Sequence, residues 1–165
     1  MNDVLDQVQR SSDLGLYYVA LLAALAIPDI CSALESVDGQ ASGAKYAAWF
    51  DRHVAPRYSG NLSGDDAYRF RCSMLHQGSA QHPKSSFARI LFIEPGATTN
   101  VFHNCELSGA LTIDVRIFVR DLVQAARSWL PTVQKSPQYQ ANRARFVTRY
   151  ADGLAPYMVG VSVIA

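Results

Sequence analysis

The apolar run from Leu14 to Ile27 constrains the fold more than any other feature, because these 14 uncharged residues must be kept from water. The run is shorter than the ~20 apolar residues that a helix needs to span a bilayer. It continues as LGLYYVALLAALAIPDICSALES, which is apolar nearly all round, as in the central helix of a bundle. We therefore predict a buried helix from an N-cap at Asp13 to Glu35, kinked at Pro28.

Three further stretches have the spacing of helices. In AKYAAWFDRHVAP, the residues Tyr46, Trp49 and Phe50 share one face, and Val54 extends it. The next helix begins at a capping pair, Ser63 with Asp66, and stops near Gly78. Its predicted inward residues are Ala67, Phe70, Met74 and Leu75. A later helix begins at Asp114 and ends before Pro131.

The chain changes character between these last two helices. FARILFIEP and NVFHNCEL are short, rich in β-branched and aromatic residues, and separated by the turn GATT, which predicts a β-hairpin. We expect this hairpin to be an insertion at about residues 86–108. The Arg-rich stretch 143–150 is expected to be helical, and the apolar tail YMVGVSVIA is expected to add a strand to the hairpin. The prediction is a mainly α (α+β) fold, a helical bundle with an inserted antiparallel β-hairpin.

Composition limits the class of protein. A chain of 165 residues has the length of one domain, so residues 1–165 are expected to form a single unit. The net charge of +1 argues against affinity built on many phosphate contacts, although it permits a short basic site. Three widely spaced cysteines do not suggest a disulfide framework, and the N-terminus lacks the plan of a signal peptide. These features predict a cytoplasmic protein with no membrane association.

The stretch YRFRCSMLHQG contains the most suggestive pair of residues for chemistry. Motifs for nucleotide cofactors, redox dithiols and common hydrolases are absent from the sequence, so no cofactor is predicted. In this stretch Arg71 and His76 lie near the end of a helix with four residues between them. Arginine binds phosphate through a fixed fork, and histidine exchanges a proton near neutral pH. Together they can cleave RNA without a metal, by proton transfer at the ribose 2′-OH or the leaving oxygen and by stabilisation of the phosphorane charge.

YRFRCSMLHQG, at the end of the third helix of an apparent bundle, resembles the Arg-x(4–6)-His motif of the HEPN superfamily. The segments IPDICSALE, KYAAWFDRHVAPRY and IDVRIFVRDLVQAARSW, within residues 14–130, are similar to small stand-alone bacterial HEPN-like proteins. The resemblance implies a helical bundle, usually a homodimer, and a metal-independent endoribonuclease in a toxin–antitoxin or phage-defence setting. Arg71 and His76 would be catalytic, RNA the substrate, and an antitoxin or defence protein a partner. It equally implies an alternative, a non-catalytic module that binds a small molecule, a nucleotide or a protein.

Further residues are candidates for supporting this pair or for an alternative site. Asp29 and Glu35, after Pro28, are candidates to orient Arg71 or His76 from a neighbouring helix. Ser73 and Gln77 lie on the same helix as the pair and are included as supporting residues. The competing interpretation is a zinc site, because Cys72 and His76 share a helix face while His103 and Cys105 share a strand face. That site requires the predicted hairpin to fold back onto the helix.

Overall fold

The computed structural model describes residues 1–81, 86–87, 89–96 and 99–165. Its helices are α1 (Asn2–Asp13), α2 (Tyr17–Leu25), α3 (Ile27–Glu35), α4 (Gly43–His53), α5 (Gly64–Gln77), α6 (Val115–Val133) and α7 (Pro137–Arg143), with a 3₁₀ turn at Ala55–Tyr58. Its strands are β1 (Arg89–Ile93), β2 (Cys105–Leu107), β3 (Ala110–Asp114), β4 (Arg149–Tyr150), β5 (Gly153–Leu154), β6 (Met158–Val159) and β7 (Val163–Ile164). The fold is mainly α with small sheets, as the sequence predicts.

The predicted long first helix is three helices. Asp13 ends α1 rather than capping the apolar helix, and Gly15 turns the chain into α2 with a φ of +76°. The helical path breaks again at Ala26, so Pro28 falls in the first turn of α3. Proline is well tolerated there, because the first backbone N–H groups of a helix have no partner within it. The break leaves α2 and α3 as separate nine-residue helices.

The core contains side chains from all seven helices and from β1 and β3, and two of its largest aromatic side chains meet between α4 and α6. Trp49 and Trp129 meet edge to face with ring centroids 6.1 Å apart. The predicted apolar face of α4 is confirmed, since Tyr46, Trp49 and Phe50 are all buried, with Val54 just beyond the helix. In α5, Ala67 and Phe70 are buried and Met74 is partly so, but Leu75 is exposed, contrary to its prediction.

The β-hairpin prediction is wrong in its pairing. The three-stranded sheet has the order β1-β3-β2, so the two predicted hairpin strands lie at opposite edges. β3 pairs in parallel with β1 and antiparallel with β2, which follows from the tight turn at Ser108 and Gly109. Both turn residues have positive φ, as a two-residue hairpin turn requires. In the predicted turn GATT, residues 97 and 98 lie outside the described part.

The sequence analysis did not predict β3, because Ile113 and Ile117 have the i, i+4 spacing of a helix. Ile113 was therefore assigned to the apolar face of the predicted helix, although it lies on β3. The start of α6 is nevertheless confirmed, since the Asp114 carboxylate accepts hydrogen bonds from the backbone N–H groups of Arg116 and Ile117. α6 does not end before Pro131 as predicted, because it continues through this residue to Val133.

The C-terminal segment also differs from its prediction. The helix α7 lies earlier than the predicted helix at 143–150, and it is capped by Ser136. The tail does not join the three-stranded sheet. β7 pairs with β4 and β6 pairs with β5, in two ribbons of two residues a strand. Apolar side chains in this segment, such as Tyr157 and Val159, are largely exposed.

One stretch of the described residues, Tyr17–Glu35, is long and apolar enough by length and composition to cross a membrane. Its mean hydropathy is 1.7, and half of it is buried inside the protein. A buried core helix meets the same criteria, so the finding does not distinguish a membrane span from the predicted core helix.

Candidate functional site

The end of α5 holds the predicted pair in direct contact. Ser63 caps the start of this helix, and Gly78 ends it with a φ of +63°. These two ends fix the helix around the pair, and Arg71 Nη1 lies 3.1 Å from His76 Nε2. Because a guanidinium only donates hydrogen bonds, Nε2 must act as the acceptor in this contact. The His76 side chain is exposed to solvent.

Asp29 of α3 completes a row of three side chains. Arg71 Nε donates a hydrogen bond to Asp29 Oδ2 over 2.8 Å. The side chains of Arg71 and Asp29 are 21% and 16% exposed, so this ion pair is largely shielded from water. Burial raises the pKa of Asp29, and the neighbouring Arg71 only partly opposes that effect. The prediction that Asp29 orients the arginine agrees with this geometry, and the order is carboxylate, guanidinium, imidazole.

The row can carry out two chemical tasks. The guanidinium, fixed by Asp29 through Nε, retains N–H donors for an oxygen of a bound phosphate. The imidazole beside it can exchange a proton at an exposed position. A fixed positive charge next to a mobile proton is the arrangement that acid–base chemistry on a phosphodiester requires.

A group of polar side chains behind Arg71 was missed by the sequence reasoning. Cys72 Sγ lies 3.9 Å from Arg71 Nη1. A hydrogen bond with Cys72 raises the pKa of Tyr68, which precedes it by one helical turn. The buried hydroxyl of Tyr46 has no hydrogen-bond partner among the described residues, and its ring lies 5.4 Å from that of Tyr68. The i, i+4 spacing of Tyr68 and Cys72 was the available signal for this contact.

Glu35 is not part of this site, contrary to its prediction. Its carboxylate accepts a hydrogen bond of 2.8 Å from Trp129 Nε1 and lies 3.5 Å from Arg52 Nη1. Glu35 comes six residues after Asp29, which places the two carboxylates on different faces of α3. The Asp29 side chain reaches Arg71 of α5, whereas the Glu35 side chain reaches Trp129 of α6.

Of the two predicted supporting residues on α5, Ser73 is buried and Gln77 is exposed. Ser73 is 1% exposed, and its hydroxyl has no hydrogen-bond partner among the described residues. It therefore points into the protein and not toward the open side of the row. Gln77 is the last residue of α5 and is exposed beside His76.

The four residues of the predicted zinc site do not converge. His76 contacts Arg71, while the His103 ring packs on Tyr58 with centroids 5.4 Å apart. Cys105 Sγ lies 2.9 Å from the Thr112 hydroxyl on the neighbouring strand. Among the described residues, no group of three or more His, Cys, Asp or Glu side chains is placed to hold a metal ion. The zinc interpretation is therefore wrong, because His103 precedes β2 instead of sharing that strand with Cys105, and neither residue lies against His76.

His103 belongs to a second polar cluster that the sequence did not indicate. The buried hydroxyl of Tyr58 donates to Asp121 Oδ2 over 3.3 Å. Arg57 and Arg120 approach the same carboxylate to 3.9 and 3.8 Å. Burial lowers the pKa of His103, and its Nδ1 is enclosed without a hydrogen-bond partner in the described part of the chain. This cluster has the same residue types as the α5 site, but its carboxylate is buried and the Nδ1 atom of its histidine is enclosed.

The fold defines the chain as a mainly α protein of the α+β class, with an Asp–Arg–His row at one helix end. Comparison of the chain with family models, curated proteins and solved structures found no match in any of the three.

Proposed function

We propose that this chain is a HEPN-like, metal-independent endoribonuclease that acts as a cytoplasmic homodimer in a toxin–antitoxin or phage-defence setting. The observation that supports the proposal is the 3.1 Å contact between Arg71 Nη1 and His76 Nε2, with Asp29 bound to the far side of the guanidinium. A spacing of four intervening residues alone would not place these two groups together.

In the proposed reaction, Arg71 Nη1 turns from His76 Nε2 to an oxygen of the bound phosphate, and the freed Nε2 takes the proton of a ribose 2′-OH. The 2′-oxygen attacks the adjacent phosphorus, and Arg71 stabilises the negative charge that develops on the phosphorane. The bond from phosphorus to the 5′-oxygen then breaks, and the leaving oxygen takes a proton from a general acid. The products are a 2′,3′-cyclic phosphate and a 5′-hydroxyl. In a homodimer, His76 of the second copy is available as that acid, since one histidine cannot accept and donate at the same moment.

Asp29 has a positioning role in this scheme. It fixes the guanidinium through Nε and leaves the Nη groups directed toward His76 and the substrate. Arginine presents such a fork, whereas lysine offers a single charged point.

The same ion pair favours a second candidate function, a non-catalytic binding module. Asp29 already compensates the charge of Arg71 at 2.8 Å, so a phosphate must compete with a carboxylate for the guanidinium. In this alternative the row holds α3 against α5, and an anion binds without being cleaved.

The two candidates are distinguished by incubating purified wild type and His76→Ala with total RNA in EDTA. We expect wild type to produce fragments with cyclic phosphate ends, and His76→Ala to be about a hundredfold slower, as is typical for loss of a general base. Gln134→Ala, an exposed glutamine after the end of α6, is the matched control and should cleave like wild type.

Circular dichroism of each variant shows whether the fold is kept. Negligible cleavage by wild type and by folded His76→Ala would overturn the nuclease proposal. Fluorescence anisotropy with labelled RNA then tests the second candidate. It requires binding by wild type that weakens in Arg71→Ala and is unchanged in the surface variant Arg52→Ala.

A further inference from the structure

The last four strands form one interrupted hairpin, residues 148–165, which we call the C-terminal hairpin. β4 pairs with β7 near its base, and β5 pairs with β6 nearer its turn. Backbone hydrogen bonds between Thr148 and Ala165 extend the pairing at the base, and the Gly160 N–H donates to the Asp152 carbonyl between the two ribbons. Tyr157 lies in the turn that connects β5 with β6. Within the described part of the chain, these strands pair only with one another.

Large apolar side chains are exposed along the whole C-terminal hairpin. Tyr157 is 83% exposed, and Val159 and Ile164 are each 74% exposed. Six of the fifteen exposed large apolar side chains in the described residues lie on this hairpin: Tyr150, Tyr157, Met158, Val159, Val161 and Ile164. Exposed apolar side chains are normally scattered singly, and a concentration of them marks a surface that contacts a protein or a membrane.

The exposed apolar side chains lie on both faces of the hairpin. Successive side chains of a strand point to opposite faces. The neighbours Met158 and Val159 of β6 are 49% and 74% exposed, so neither face is covered. A protein that docked on one face would leave the other apolar face in water. Insertion of the turn, end on, into an apolar medium covers both faces at once.

The charges of the C-terminal part of the chain indicate an anionic partner. Residues 122–165 contain one carboxylate side chain, that of Asp152, and five cationic side chains, those of Arg127, Lys135, Arg143, Arg145 and Arg149. Arg127 pairs with Asp6, whereas the other four cations form no salt bridge among the described residues. Arg149 Nη2 donates to Ser162 Oγ over 3.5 Å, which places this charge on the hairpin itself. A second copy of the hairpin would bring the same uncompensated charges, so repulsion disfavours its self-association.

We propose that the C-terminal hairpin inserts its turn into the interfacial region of a membrane that contains anionic lipids. Interfacial segments bury their apolar side chains about 5–10 Å into the boundary between headgroups and acyl chains. Tyr157 suits this depth, because its ring is apolar and its hydroxyl is polar. Arg149, nearer the base of the hairpin, attracts the anionic headgroups. The contact is peripheral and reversible, unlike a membrane span.

This inference goes beyond the proposed function and does not rest on it. The sequence analysis predicted that the apolar tail joins the sheet and that the protein has no membrane association. The structure leaves the tail uncovered, and its exposed apolar side chains are the reason to revise the second prediction. Peripheral binding of this kind is compatible with a cytoplasmic protein, because the rest of the chain stays outside the bilayer.

Co-sedimentation with vesicles tests the insertion. The mixed vesicles contain phosphatidylcholine with about 30% phosphatidylserine, an anionic surface of the kind that attracts basic segments. We expect wild type to bind them, and Tyr157→Ser combined with Val159→Ser to bind about tenfold more weakly, because binding scales with the buried apolar area. Tyr18→Ser combined with Val37→Ser is the matched control and should bind like wild type, since Tyr18 and Val37 are 76% and 90% exposed elsewhere in the fold.

The contribution of charge is tested with Arg149→Gln. One cation near an anionic membrane contributes about fivefold to the affinity, so we expect binding to the mixed vesicles to weaken about fivefold. Wild type should bind vesicles of phosphatidylcholine alone more weakly than the mixed vesicles, and Arg149→Gln should not change this weaker binding. Arg10→Gln removes an exposed charge on α1 and should leave both affinities unchanged.

Labelled cysteines on the two faces of β6 test whether the hairpin inserts end on. Met158→Cys and Val159→Cys, each carrying a polarity-sensitive dye, should both show a blue shift in emission when the mixed vesicles are added. Val37→Cys with the same dye should show no shift. Labelled wild type gives the background from its three native cysteines.

Absence of vesicle binding by wild type would overturn the proposal, as would an equal loss of binding in the hairpin variant and its matched control. A blue shift at only one of the two labelled positions would also overturn it, and would indicate a partner on one face. Circular dichroism shows whether each variant keeps the fold. His76→Ala should bind vesicles like wild type, so that failure of the RNA assay is separated from failure of this proposal.

Discussion

Two clusters in this protein contain the same types of residue but differ in geometry. At the end of α5, the Asp29 carboxylate lies 2.8 Å from its arginine, and the histidine is exposed. In the cluster around Asp121, the nearest arginine nitrogen is 3.8 Å away, and the His103 Nδ1 is enclosed without a partner in the described residues. The first arrangement leaves a histidine open to a substrate, and the second leaves a carboxylate and a ring inside the fold.

The difference shows that residue types alone do not distinguish a reactive site from a structural cluster. The exposure of the histidine is what separates them, because His76 is open to solvent whereas the Nδ1 atom of His103 is enclosed and cannot meet a substrate. Asp121 is compensated by the buried Tyr58 hydroxyl and by two arginines, which ties the 3₁₀ turn to α6. We therefore expect changes in the Asp121 cluster to alter stability and changes in the α5 site to alter activity.

The largest expected effect is on stability in the Asp121 cluster. Asp121→Ala removes the acceptor of a fully buried Tyr58 hydroxyl and leaves two arginines without their counter-charge, so we expect a loss of about 3 kcal/mol in the free energy of unfolding. Asp29→Ala should cost about 1 kcal/mol, because Arg71 can turn toward solvent. Urea denaturation followed by circular dichroism measures both. Equal losses would contradict the division between a structural and a reactive cluster.

A smaller expected effect is on activity and depends on the shape of the guanidinium. Arg71→Lys keeps the charge but cannot bind Asp29 and His76 together, so we expect RNA cleavage to fall about tenfold. Arg57→Lys makes the same change in the Asp121 cluster, where the arginine lies 3.9 Å from the carboxylate, and should leave cleavage unchanged. Initial rates of cleavage of one labelled RNA compare the two variants. An equal fall in the cleavage rate of both variants would contradict the proposal that the guanidinium shape of Arg71 is required for cleavage.

The smallest expected effect is on the pH dependence of stability. Burial lowers the pKa of His103 below its ordinary value of 6.5, so the unfolded chain binds its proton more readily than the folded chain. Stability should therefore fall as the pH drops from 6.5 toward the folded pKa of His103. In His103→Gln this loss should be smaller, by roughly a few tenths of a kcal/mol because the ring is partly open to solvent.

Burial also lowers the pKa of His53, which contributes to the same slope and remains in the variant. Urea denaturation at pH 7.5 and pH 5.0 gives the slope for each protein. An unchanged slope in His103→Gln would contradict the lowered pKa of His103.

Part of the candidate site could be predicted from the sequence because it lies on one helix. The capping residue Ser63, the terminating Gly78 and the spacing of Arg71 and His76 are local features of α5. The motif alone carried little weight, since with 4 histidines in 165 residues such a spacing is expected by chance roughly once in a chain rich in arginine. The contact at 3.1 Å is what raises its significance.

Other parts of the site required the tertiary structure. The sequence offered Asp29 and Glu35 as equivalent carboxylates on α3, and it contained no signal for which helix would meet each face. The cluster around Asp121 could not be predicted from the sequence either, because Tyr58 and Asp121 are 63 residues apart in the chain. Tyr68 and Cys72 were missed although their helical spacing was available.

The sequence by itself determined the features that depend on neighbouring residues: the mainly helical class, the buried face of α4, the caps of α5 and the start of α6. Capping and amphipathic spacing act over a few residues, so they can be recognised without the rest of the chain. Strand pairing was decided only in the tertiary structure, because β1 could pair with β2 or with β3 and local propensity does not distinguish them. Among the described residues, the choice of β3 leaves β1 with one neighbouring strand, and an apolar groove lies along β1 and the end of α5.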